Sequence, residues 1–185
     1  DLFDWTLHQD HGVKYYSGIA TYNTSFNAEG TSHASGNVLF DKADDLWISL
    51  GRVKNVARVI LNGEDLGTCW CAPWQVEIPA GVLKPQGNDL QIRVANTWVN
   101  RLIGDELEPE DCELAGPDLW FSIIQERGQR MGGYNKEAKG RGLKDLPGWL
   151  LNDQPRPSEN RCTFTSWRYY DADAPLLPSG LLGPV

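Results

Sequence analysis

A chain of 185 residues with 41% apolar side chains is long enough to build one domain around a proper core. Its formal net charge of −8 argues against a nucleic-acid partner, which would want a basic patch, and against an anionic membrane surface. No apolar run reaches the roughly 18 residues of a spanning helix. The opening Asp-Leu-Phe-Asp-Trp has neither the charged nor the apolar region of a signal peptide, so a targeting segment is expected to have been removed or to lie outside these residues.

Tyr15 to Phe26 alternates as a strand, with Ile19, Thr21, Asn23 and Ser25 on one face and Ala20, Tyr22, Thr24 and Phe26 on the other. Residues 27–36, rich in Gly, Ser, Thr and Asn, read as a turn region. Leu46 to Leu50 is a short β-rich run. Val56 to Leu61 is another, closed by Asn62-Gly63, a strong hairpin signal because both residues tolerate positive φ. The hairpin returns through Asp65 to Trp70. Trp74 to Ile78 alternates again, Gly81-Val82-Leu83 suggests a brief helical turn, and Pro85 to Asn88 a turn. Leu90 to Ala95 alternates most clearly, with Leu90, Ile92 and Val94 on one face and Gln91 and Arg93 on the other.

From Arg101 to about Arg161 the chain is dense in Gly, Pro and charge and reads as a long irregular insertion. Short helical pieces are expected at Asp118 to Arg130 and Leu143 to Leu151. A loop this long inside a compact domain is usually functional or depends on its context. Cys162 to Tyr170 returns to strand alternation, and the apolar tail Pro175 to Val185 carries Pro and Gly. Many short strands separated by turn signals predict a single all-β sandwich over residues 1–185. With no GxGxxG and no phosphate loop, nucleotide binding has little support.

Cys69 and Cys71 alternate along one extended stretch, poor geometry for a mutual disulfide. Pairing of Cys112 with Cys162 stays open, and the spacing does not match a zinc site built from CxxC pairs.

Residues 56–96 resemble the sugar-binding jelly-roll domains of family-2-type glycoside hydrolases. The features that carry this are Asn62-Gly63, Gly67, Pro73-Trp74 and Gly87-Asn88-Asp89-Leu90. The flanks narrow the match. Trp98-Val99-Asn100-Arg101-Leu102-Ile103-Gly104-Asp105, residues 145–152, residues 155–167 and the tail 175–185 look like the C-terminal β-sandwich of family-106 glycoside hydrolases, the α-L-rhamnosidase group. The resemblance implies a galactose-binding-domain-like jelly roll and a secreted or periplasmic bacterial enzyme that degrades polysaccharide. It places the catalytic acids in a separate, longer barrel domain, which makes this chain an excised fragment.

Four sets of residues are candidates for function. Trp98, Asn100, Arg101 and Asp105 leave the clearest strand. Asn and Asp can take paired hydroxyls, Arg donates as a fork, and Trp packs on the C–H face of a sugar ring. The same residues could instead organise the loop or meet the missing catalytic domain. Trp70 and Trp74 flank a tight Cys-Ala-Pro connection and could form a stacking platform, though Trp74 also starts a strand and suits the core. The acidic run Asp105, Glu106, Glu108, Glu110, Asp111 and Glu113 offers hard oxygen ligands for a structural Ca²⁺, with Asp41, Asp44 and Asp45 as a second option, although such runs are usually solvated faces. For catalysis no Asp or Glu stands isolated at the end of a predicted barrel strand. His8, His11 and His33 are early and in loop-like sequence, with no GxSxG, so no catalytic residue is assigned.

Two roles therefore compete. The first is a non-catalytic carbohydrate-binding module for plant or microbial oligo- or polysaccharide. The second is a structural accessory domain that docks on and shapes the catalytic domain of an α-L-rhamnosidase-like enzyme without binding glycan itself.

Overall fold

Alternation of apolar side chains creates the core-facing sides of the strands in a computed structural model, which describes residues 2–28, 46–115 and 141–185. The expected helix at Asp118 to Arg130, the turn residues 29–36 and the Asp41, Asp44 and Asp45 option lie outside the described residues. The chain divides into two compact units: Asp1–Trp98 with Leu177–Val185, and Val99–Leu176. The fold is mostly β, in small antiparallel sheets, with little helix.

Among its described residues the first unit holds eight strands: β1 (Ile19–Phe26), β2 (Leu46–Ser49), β3 (Arg52–Lys54), β4 (Val56–Leu61), β5 (Glu64–Cys69), β6 (Gln75–Ile78), β7 (Asn88–Ala95) and β8 (Gly180–Gly183). A four-stranded sheet runs β1-β7-β4-β5, and two-stranded sheets pair β2 with β6 and β3 with β8. The strand expected from Tyr15 begins only at Ile19, because α1 (His11–Lys14) ends at Tyr15, whose N–H donates to the His11 carbonyl. The Asn62-Gly63 hairpin forms as its sequence predicts. Both residues take positive φ (53° and 87°), and Leu61 pairs with Glu64 across the two-residue loop. Leu66 is an extra residue between the pairs Ile60–Asp65 and Val59–Gly67, so β5 carries a bulge.

Ala57, Val59 and Leu61 of β4 and Leu90, Ile92 and Val94 of β7 point to one side and are buried. They share a core with Ile48, Val53, Val76 and Leu181 from the two small sheets and with Leu50 between β2 and β3. Tyr22, Phe26 and Trp74 pack against that core. The β8 strand was hidden in a tail of Pro and Gly, yet it ties the two ends of the chain together. Trp5 N–H donates to the Ser179 carbonyl (3.1 Å), Ser179 N–H to Asp4 Oδ1 (3.0 Å), and both Trp5 Nε1 and Leu181 N–H to the Tyr22 hydroxyl (2.7 and 3.2 Å). Gly180 is required there. Its φ is +104°, and a Cβ would sit 2.5 Å from the Trp5 indole nitrogen.

A buried asparagine closes the turn end of the four-stranded sheet. Asn88 is fully buried. Its amide oxygen accepts from Lys84 N–H (2.8 Å) and Asn62 Nδ2 (2.9 Å), while its Nδ2 donates to the carbonyls of Lys84 (2.7 Å) and Phe26 (3.4 Å). Asn62 in turn donates to the Val82 carbonyl and accepts from Asp89 N–H. Two of the residues that carried the resemblance are thus one polar joint.

Among the described residues the second unit contains two short helices, α2 (Val99–Asp105) and α3 (Gly148–Leu151), and isolated bridges Leu114–Leu143 and Gly142–Trp167. The irregular insertion expected from Arg101 therefore begins inside a helix. The strand expected over Cys162 to Tyr170 does not form. Its backbone donors find other partners, since Cys162 and Thr163 give their N–H groups to the Asp105 carboxylate (3.1 and 2.7 Å) rather than to a neighbouring strand.

Candidate functional site

The sequence candidates separate into exposed tryptophans of the first unit and interior polar groups of the second. Trp70 is 74% exposed and Trp98 67%. Trp70 follows Cys69, which faces the core opposite Ala57, so the next residue turns outward. Trp98 comes three residues after β7, whose last residue, Ala95, pairs with Val56 at the start of β4. Trp70 and Trp98 thus leave the four-stranded sheet at the same end. Trp74 is half-buried against the core, and its carbonyl accepts from Leu50 N–H (2.8 Å). Trp47 of β2, not singled out in the sequence, is 53% exposed.

Asn100 and Asp105 are buried inside the second unit. The Asp105 carboxylate accepts from Cys162 N–H, Thr163 N–H and the Thr163 hydroxyl (2.6 Å), and it pairs with Arg101 at 2.8 Å across one helical turn. The i, i+4 spacing of Arg101 and Asp105 was the one sequence signal for this arrangement. These contacts hold the Asp105 carboxylate away from solvent.

The acidic run meets cations from the far end of the second unit. Glu106 pairs with Arg161 (3.3 Å) and Arg168 (2.7 Å), Glu110 with Arg168, Asp111 with Arg156, and Glu113 with Lys144 (2.8 Å). Arg156 lies over the Trp149 ring at 5.4 Å, and Trp149 Nε1 donates to the Asp111 carbonyl. Among the described residues no three His, Cys, Asp or Glu side chains are grouped to hold a metal ion. Asp105, Glu106, Glu110, Asp111 and Glu113 of the acidic run are paired with guanidinium or ammonium groups, and Glu108 accepts from the Asn160 amide. A cleft bordered by Glu106, Arg156, Arg161, Phe164, Arg168 and Tyr170 encloses about 40 Å³, on the order of one water molecule. Burial pushes the Cys112 thiol there above its ordinary pKa, and does the same to Cys69 in the first unit. All four cysteines are free thiols.

The outer face of the four-stranded sheet is a broader surface. Its cross-strand rows follow from the register. Ile19, Ala95 and Val56 form the first, Thr21, Arg93, Arg58 and Thr68 the second, and Asn23, Gln91, Ile60 and Asp65 the third. Ser25 and Asp89 begin a fourth. Gln91 Nε2 donates to Asn23 Oδ1 (3.0 Å), Ser25 to Asp89 (3.0 Å), and Arg58 to Asp65 (2.6 Å). The Arg58 hydrogen bond, then the Gly67 N–H, holds the Asp65 carboxyl below its usual pKa. An open groove of about 510 Å³ lies along Asn23, Ser25, Ile60, Gly63, Asp89 and Gln91.

Searches against known proteins place the chain. No family model matches it. It is 38% identical over all its 185 residues to a protein of Formosa agariphila named "Putative beta-glucuronidase", of which it spans 13%. It superposes on a rhamnosidase from Novosphingobium sp. PP1Y with a TM-score of 0.60 and 34% identity, covering 98% of this chain and 12% of that one. The chain is therefore similar, end to end, to a domain-sized segment of much longer proteins that carry glycosidase names. Among the described residues no helix is long and apolar enough to cross a membrane.

Proposed function

We propose that this chain is a non-catalytic accessory domain of a large exported bacterial glycoside hydrolase, a galactose-binding-type jelly roll that binds oligo- or polysaccharide. The observation that carries the reading is the whole-length similarity to about one-eighth of two glycosidase-named chains. Two exposed tryptophans at one end of a sheet supply what a neutral pyranose needs, a flat apolar face for its C–H groups. The carboxylates that border the second unit's cleft are engaged by arginines, which suits a structural role better than the paired acid and base of glycoside hydrolysis.

Affinity electrophoresis against a panel of neutral and acidic polysaccharides tests the reading. Trp70→Ala and Trp98→Ala should each weaken retention roughly 10-fold, in line with the ~1–1.5 kcal/mol of an aromatic contact, with the melting temperature unchanged. Retention of the unmodified protein by no glycan in the panel would defeat it.

One observation favours docking on the parent enzyme's catalytic domain instead. Leu2, Phe3, Leu7 and Val185 are exposed, and Leu2 lies against Gly183, so apolar side chains gather where the two ends of the chain meet. That role predicts a protein that binds no glycan, and the same panel separates the two.

A further inference from the structure

We propose that the outer face of the four-stranded sheet is a subsite for an acidic pyranoside, with its carboxylate or sulfate held at Arg93 and its ring edge on the Ile19–Val56 strip. The inference rests on the glycan-binding reading and adds to it a location and a ligand charge.

The argument starts from a pairing that a sheet has reason to avoid. Arg58 and Arg93 stand directly opposite each other on adjacent antiparallel strands, and like charges in that position destabilise a sheet. Arg58 gives its Nε and Nη2 to Asp65, whereas the exposed Arg93 side chain makes no hydrogen bond or ion pair among the described residues. The other carboxylate on this face, Asp89, lies four residues along β7 from Arg93, about 13 Å at strand rise, and is engaged by Ser25. Arg93 is thus an exposed guanidinium beside an arginine already paired to a carboxylate, and its own fork of N–H donors is open to an oxyanion.

The neighbouring rows fit the rest of a sugar. On one side the first row is apolar, with Ile19 half exposed and Ala95 and Val56 beside it, and Trp70, the residue after β5, is exposed at this end of the sheet. On the other side Asn23 and Gln91 present paired amides above Ile60. Rows on one face are two residues apart, about 7 Å, so an anion at Arg93 leaves its ring within reach of the strip and its hydroxyls within reach of the amides. The groove beyond them continues to Asp89 and Gly63, and its volume falls within the range of small-ligand sites.

The test uses affinity electrophoresis of the full 185-residue chain in gels containing polygalacturonate, dextran sulfate or neutral dextran. Variants Arg93→Gln and Gln91→Ala are compared with Arg52→Gln, an exposed arginine on β3 that removes the same charge elsewhere. The expected result is retention by at least one of the two anionic polymers, weakened 10-fold or more by Arg93→Gln and several-fold by Gln91→Ala, and changed less than 2-fold by Arg52→Gln. Retention by polygalacturonate identifies a uronate ligand, and retention by dextran sulfate alone a sulfate. Equal losses in Arg93→Gln and Arg52→Gln would mean diffuse charge attraction and overturn the proposal. Binding only to neutral dextran, or anionic binding untouched by Arg93→Gln, would also overturn it while leaving glycan binding intact. Retention by no polymer here or in the wider panel would remove both. Melting curves of each variant confirm that the fold survives.

Discussion

Replacing Asn88 by alanine should cost about 3 kcal/mol, because each buried polar group left unpaired costs ~1–3 kcal/mol and several are stranded together. Lys84 would lose partners for both its N–H and its carbonyl, and Phe26 one for its carbonyl. Asn62 would lose the acceptor that steadies its left-handed backbone at the hairpin. For a chain of this length the melting temperature should fall by roughly 6–12 °C. Asn88→Asp is the sharper probe. It keeps the acceptor for Lys84 N–H and Asn62 Nδ2 but turns a carboxylate oxygen toward the Lys84 and Phe26 carbonyls, so it should be at least as damaging as alanine. Chemical denaturation of both variants measures the effect. Values within 0.5 kcal/mol of the parent protein would show that solvent reaches this joint and that the network is not what fixes the turn.

The same residues explain why part of the fold was legible in the sequence. Asn62-Gly63 and Gly87-Asn88 stand out because a two-residue hairpin and a buried turn each demand particular side chains, and few others serve. Strands β4 and β7 were readable because one face of each is wholly buried, which forces strict alternation. Strands β3 and β8 were not, since three residues in β3 and four with glycine at both ends in β8 carry too little pattern to rise above the background. Cys162 to Tyr170 shows the opposite error. Its residues alternate, but alternation records which side chains are apolar and cannot say what receives the backbone N–H groups.

The candidate site divides along the same physical line. Exposure of Trp70 and Trp98 follows from strand parity and position after a strand end, both local facts. The fate of the acidic run depends on Arg156, Arg161 and Arg168, which lie 45 to 62 residues further along the chain from the acids they meet. Nothing local announces such pairs. A run of carboxylates looks alike whether it faces water, calcium or arginine, and only the fold decides. The open Arg93 was visible as an outward residue of β7, but its position opposite Arg58 required the register.

Asp105 should prove the most sensitive residue of the second unit. Its carboxylate is surrounded by donors alone: two backbone N–H groups, a hydroxyl and a guanidinium. Asp105→Ala should cost about 3–5 kcal/mol, the range for breaking a buried charge pair by removing one partner. Asp105→Asn, isosteric and usually mild, should also be damaging, because its NH₂ would face the Thr163 N–H or the Arg101 guanidinium with the Thr163 hydroxyl as its acceptor among these groups, and the charge that pairs Arg101 is lost. If Asp105 served instead as a ligand contact at the surface, both variants would fold normally and lose only binding. Amide hydrogen exchange distinguishes the outcomes. The structural role predicts that protection at Cys162 and Thr163 collapses in both variants and that protease cuts appear within residues 99–115 and 141–176. Strands β4 and β7 serve as the internal reference for global stability. Native protection at Cys162 and Thr163 in Asp105→Asn would show that those amides have another partner, and would return Asp105 to the set of residues available to a sugar.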